Sequence, residues 1–90
     1  MNVPPPARDR LVQRAPAVFR VAHETVLVRT LDNDSFDLVG AAAAVWLVTD
    51  APGDLAAIAL RLAESDILVP DLDDIVELLR GRGLLVETVA

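Results

Sequence analysis

The sequence predicts an α+β domain in which a three-stranded antiparallel β-meander is followed by three helices. Three observations lead to this prediction. Short β-branched runs are separated by turn residues in the first half of the chain, helical apolar spacing takes over after Gly40, and no internal repeat interrupts that order. With 90 residues and 53% hydrophobic side chains, the chain has room for one domain around one core.

The predicted strands are short and are joined by tight connections. The first covers residues 18–21 and the second covers residues 25–29, with the polar pair His23-Glu24 between them. Residues 35–38 then alternate polar and apolar side chains, as a strand with one buried face does. A meander of this size needs a further packing partner, so we expect it to lie against the helices.

The first predicted helix, over residues 41–48, is apolar on every side and is therefore expected at the centre of the domain. Trp46 lies within it and is expected to anchor the core. Pro52 and Gly53 end this segment, and Asp54 is placed to cap the second helix.

The second and third helices each carry one apolar stripe at helical spacing. The stripe of the second helix is Leu55, Ile58, Ala59 and Leu62, with Arg61 on the polar side. The stripe of the third helix is Leu72, Ile75, Val76 and Leu79, with Asp71 as the expected N-cap. Gly81 and Gly83 end the third helix, and the apolar residues 84–86 are expected to lie back on the core.

The N-terminal residues differ from the rest of the chain in composition and charge. Residues 1–16 hold four prolines and predict a flexible Pro/Arg-rich arm, which leaves residues 17–90 as the folded domain. The whole chain has a net charge of −6, made up of +3 over residues 1–20 and −9 over residues 21–90. A body this acidic repels phosphate, so nucleic acid is not an expected partner.

Membrane and secretory segments are also not expected. The longest apolar run, residues 38–48, has 11 residues. A membrane-spanning helix needs about 20 residues. The N-terminal residues lack the apolar stretch of a secretory signal, so the expected location is the cytoplasm.

The residue inventory does not predict an active site. There is no cysteine, His23 is the only histidine, and neither Ser35 nor Ser65 stands in a nucleophile motif. The acids at positions 71, 73 and 74 are typical of a helix N-terminus rather than of a cation site. We therefore expect no enzymatic activity, no cofactor and no metal.

Three features of the chain together resemble the PqqD-like family, the RiPP recognition elements. They are a meander whose third strand runs into an Ala-rich helix ending in Trp46-Leu47, the break over residues 49–54, and the apolar pattern of residues 71–85. The match covers residues 17–86. One departure is the junction over residues 38–41, Leu-Val-Gly-Ala, where the family often has Leu-Asn followed by Ser or Thr, so the first helix lacks a side-chain cap.

The resemblance implies a winged-helix-like domain that binds the leader of a ribosomally made precursor peptide and presents it to a maturation enzyme. That enzyme would be a radical enzyme, a cyclase or a leader peptidase. In the family, the leader adds as a strand beside the third strand and lies in a cleft against the third helix. The docking strand then corresponds to Ser35, Phe36, Asp37, Leu38 and Val39.

The third helix carries one apolar residue outside its core stripe. Leu78 lies beside Ile75 at a position where a helix serving only the core would be polar. We expect Ile75, Leu78 and Arg82 to form the helical wall of the peptide cleft. The acidic surplus favours leaders with some basic residues.

Two alternatives stay open. A winged-helix DNA-binding regulator would place the third helix in a major groove, although that helix begins with acids. A homodimerisation module would use the same strand edge against a second copy of the chain.

Overall fold

The computed structural model describes residues 11–88, which form an α+β domain. In chain order its first elements are β1 (Leu11–Arg14), β2 (Ala17–Ala22), β3 (Thr25–Thr30) and β4 (Ser35–Val39). They are followed by α1 (Gly40–Leu47), α2 (Leu55–Glu64), α3 (Leu72–Gly81) and β5 (Leu85–Thr88). The predicted order, with a three-stranded antiparallel sheet before the helices, is confirmed. None of these helices is long and apolar enough to cross a membrane.

The meander forms one sheet in the order β2-β3-β4, and one of its faces covers the core. Val26, Val28 and Leu38 are buried on this inner face, and for Leu38 the alternation over residues 35–38 predicts this burial. The central helix α1 packs against β3, β4, α2 and α3. The sheet therefore lies on the helical layer with its opposite face open to solvent.

Trp46 anchors the core, as predicted. Its side chain is 1% exposed, and its ring meets Phe19 of β2 edge-on, with 4.9 Å between the ring centroids. The indole Nε1–H donates a hydrogen bond to the carbonyl of Leu84, 3.1 Å away. This bond joins α1 to the segment that follows α3.

The prediction of a flexible arm over residues 1–16 is wrong for its last part. Residues 11–14 form β1, which pairs antiparallel with β5 and contributes the buried Val12 to the core. Val12 also exchanges two backbone hydrogen bonds with Gly53, at 2.9 and 3.1 Å. The strand is held because both of its sides find backbone partners. Residues 1–10 of the predicted arm lie outside the described residues.

Of the two predicted N-caps, one forms a side-chain hydrogen bond and the other does not. The carboxylate of Asp54 accepts a hydrogen bond from Ala57 N–H at 2.8 Å, so the predicted cap of α2 is confirmed. The N-cap of α1 is Val39, which provides no side-chain bond. Asp71 is the N-cap of α3, but its side chain makes no capping hydrogen bond either. Asp73 and Asp74 in the first turn still interact favourably with the positive end of the helix dipole.

Arg61 was expected on the polar side of α2, but it is half-buried and holds the loop before that helix. Its guanidinium donates to the carbonyls of Val48, Ala51 and Pro52, each at 2.9 Å. A Cβ at Gly53 would come within 3.0 Å of this guanidinium, so glycine permits the close approach. Arg61 thus holds the same loop that pairs with β1 through Gly53.

Candidate functional site

The site begins at β4, which is an edge strand. Within residues 11–88, β4 pairs with β3 and with no other strand. An edge strand presents one row of backbone N–H and C=O groups that its own sheet does not use. The question for function is which residues provide that row and what lies beside it.

The alternation of hydrogen-bonded pairs between β3 and β4 shows which backbone groups of β4 point away from the sheet. Thr30 N–H donates to Asp34 C=O at 2.9 Å, and bonded and non-bonded pairs alternate along an antiparallel ladder. Ser35, Asp37 and Val39 therefore stand in non-bonded pairs, and their backbone groups point away from β3. Val39 is also the N-cap of α1, so its carbonyl serves the helix while its N–H stays on the edge.

The side chains of β4 divide between the two faces of the sheet. Phe36 is half-buried and Leu38 is buried, whereas Ser35, Asp37 and Val39 are exposed. This division matches the predicted alternation. The residues with outward backbone groups are therefore the ones with solvent-facing side chains.

A groove of about 360 Å³ runs between this edge and the helical layer. Its lining residues come from β4, α1 and α3, and they are Ser35, Phe36, Asp37, Leu38, Val39, Ala42, Leu78, Leu79 and Arg82. Its volume falls at the low end of the range for ligand sites, about 300–1,000 Å³. The groove is lined on one side by an open strand edge and on the other by a helix.

The structure brings seven of the eight sequence-predicted site residues to this groove and leaves out one. Ile75 is half-buried and packs against the core instead of lining the groove. Leu78, in contrast, is 49% exposed and does line it. Arg82, the C-cap residue of α3, is exposed and also lines the groove.

Two lining residues, Ala42 and Leu79, were not predicted. Leu79 was placed in the core stripe, and it is indeed 1% exposed, so only a small part of its side chain reaches the groove. Ala42 lies near the start of α1, where a small side chain leaves room beside β4. Ala42 belongs to a run of alanines in the sequence. Such a run predicts a buried helix as readily as a groove wall, so it does not identify this residue.

The two arginines near the end of α3 differ in their partners. Arg80 forms hydrogen-bonded ion pairs with Glu77, at 3.0 Å, and with Glu87. Arg82 makes no ion pair within residues 11–88. The groove is therefore lined in part by a guanidinium that no described side chain binds.

The described residues do not bring nucleophile and base together. His23 is exposed in the turn between β2 and β3, with a φ of 56°, in agreement with its predicted turn position. Ser35 and Ser65 are exposed and lie on β4 and at the end of α2. No cluster of three potential metal ligands occurs in the described range.

No protein-family model, curated protein or solved structure matches this chain.

Proposed function

We propose that this chain is a non-catalytic peptide-binding domain that captures an extended segment of another polypeptide by β-strand addition at β4. The observation that supports the proposal is the groove between the open β4 edge and α3. On the resemblance described above, the captured segment is the leader of a ribosomally synthesised precursor peptide. The domain then presents it to a maturation enzyme, which is a radical enzyme, a cyclase or a leader peptidase.

The physical basis of capture is the outward row of backbone groups. A peptide strand beside β4 would bond to Ser35, Asp37 and the N–H of Val39, each bond contributing about 0.5–1.5 kcal/mol net. Such main-chain bonds supply affinity without regard to sequence, while side-chain pockets select the sequence. The apolar side of the groove, with Leu78 half-exposed, is where inward-facing peptide side chains would be buried.

A winged-helix DNA-binding role is less well supported by the charges on α3. Asp73, Asp74 and Glu77 are exposed on this helix, and Asp71 precedes it. Carboxylates on a recognition helix would face the phosphates with like charge. Pairing of two copies through β4 uses the same edge as peptide capture, so the test must distinguish the two.

A proline at Asp37 tests strand addition directly. The N–H of Asp37 points away from β3, so Asp37→Pro removes an edge donor and keeps the β3–β4 ladder. The matched control is Val21→Pro on β2, the opposite edge strand. Because β3 uses alternate residues for its two neighbours, the N–H of Val21 also points away from the sheet.

The ligands for this test are synthetic peptides that cover the short reading frames beside the coding sequence. We expect Asp37→Pro to weaken binding of one of them at least about tenfold in a calorimetric titration, as the loss of ~1.4 kcal/mol would do. Val21→Pro should bind like the unchanged chain. Equal binding by both variants would contradict capture at β4. A dimer that Asp37→Pro converts to a monomer in sedimentation, without any peptide binding, would support the homodimer alternative instead.

A further inference from the structure

The arginines of the folded body fall into two groups. Of the six within residues 11–88, three are held by contacts inside the domain. Arg14 lies over the rings of Phe19 and Trp46, Arg61 binds carbonyls, and Arg80 binds two glutamates. The other three make no hydrogen bond or ion pair through their side chains within the described range, and they are Arg20, Arg29 and Arg82.

Arg82 is the one of these three that lies in the β4–α3 groove. The only acid that also lines the groove is Asp37, and its side chain belongs to the outer face of the sheet, with Ser35 and Val39. Asp37 makes no ion pair with Arg82. A guanidinium with five donors thus lines a largely apolar groove without an acceptor from the described part of the chain.

We infer that the segment captured at β4 carries an acidic side chain, and that Arg82 binds its carboxylate. This inference rests on the proposed function and names the class of peptide that the groove takes. An extended peptide with apolar side chains against Leu78 would place its carboxylate about one helical turn further along α3. Arginine suits this role because its planar fork matches a carboxylate with two parallel hydrogen bonds.

The inference is opposite to what the net charge predicts. Residues 21–90 carry a charge of −9, which favours a basic ligand when charge is counted over the whole body. At physiological ionic strength, charges more than about 8 Å apart are largely screened from one another. The charges near the peptide therefore decide the preference. In the groove these are Asp37, whose side chain belongs to the outer face of the sheet, and Arg82, which lines the groove from the end of α3.

The test uses a random peptide library displayed on phage and selected on three immobilised proteins. These are the unchanged chain, Arg82→Gln and Arg20→Gln. The last is the matched control, because Arg20 is an exposed and equally unpaired arginine on β2 that does not line the β4–α3 groove. Both variants change the net charge by the same amount, so a difference between them reports position and not total charge.

We expect the unchanged chain and Arg20→Gln to enrich peptides with Asp or Glu at one position relative to the apolar residues, and Arg82→Gln to lose that preference. A selected acidic peptide should bind Arg82→Gln about threefold to fivefold more weakly than Arg20→Gln, as expected for an exposed ion pair. Its Gln analogue should bind both variants equally.

Different results would overturn the role of Arg82 and the capture of a strand at β4. Peptides that are enriched without any acidic preference, yet lose binding to Asp37→Pro, would overturn the role of Arg82 and keep strand capture. Binding that survives Asp37→Pro, or a library from which nothing is enriched, would overturn capture at β4 and the acidic preference with it.

Discussion

Leu78→Asp tests whether the exposed leucine of α3 serves peptide binding. Leu78 is 49% exposed, so about half of its side chain is still available for burial by a ligand. Complete burial of a leucine stabilises by about 1.5–3 kcal/mol, and half of that range is about 0.8–1.5 kcal/mol. The substitution also places a carboxylate against an apolar surface, so the expected loss of binding free energy is at least ~1.4 kcal/mol, a tenfold change.

The same substitution should leave the fold intact. Exposed substitutions usually change stability by no more than about 0.5 kcal/mol, and the lower helix propensity of Asp adds a few tenths. The matched control is Leu68→Asp, because Leu68 is 88% exposed and does not line the groove. Binding is measured by titration with a library-selected peptide, and stability by urea unfolding. Equal affinities of the two variants would refute the assignment of Leu78 to the groove.

Two further predictions concern the contacts that hold the site in place. Trp46→Phe removes the hydrogen bond to the buried Leu84 carbonyl, so we expect the free energy of unfolding in urea to fall by about 1–3 kcal/mol. A fall of less than about 0.5 kcal/mol would contradict a stabilising role for that bond. In Arg61→Gln the shorter side chain cannot reach all three carbonyls of the loop before α2, so we expect the free energy of unfolding to fall by about 2 kcal/mol in the same measurement. Unchanged stability would show that the loop does not depend on these hydrogen bonds.

Most of the fold could be predicted because its signals are local. The alternation of Phe36 and Leu38 with polar residues marks a strand with one buried face, and the spacing of Leu72, Val76 and Leu79 marks one face of a helix. Each pattern repeats within a few residues, so a single sequence is enough to detect it. The capping role of Asp54 is local in the same sense.

The β1–β5 pair could not be predicted because its signal is not local. The register joins Leu11 to Thr88 across nearly the whole chain, and each strand has only four residues. Four residues contain too few alternations to indicate a strand, and the nearby prolines favoured an extended arm. Arg61 was missed for a similar reason, because its partners are carbonyls of an irregular loop.

The groove was predicted in outline, and its details depend on tertiary packing. Leu78 was found because an apolar residue outside the core stripe is visible on a helical wheel. Ile75, at the boundary between the two surfaces, was predicted both for the core stripe and for the groove wall, and it packs on the core. Whether a residue at such a boundary faces the core or the groove depends on how α3 is rotated against α1, which helical spacing does not determine.

The most direct test of strand capture is amide hydrogen exchange with and without a bound peptide selected from the library. Edge amides that no other strand covers exchange quickly, and an added strand should slow them. We predict that the bound peptide slows exchange at the N–H groups of Ser35, Asp37 and Val39, while the N–H of Val21 on the opposite edge is unchanged. Protection that appears elsewhere and leaves residues 35–39 unaltered would contradict the account.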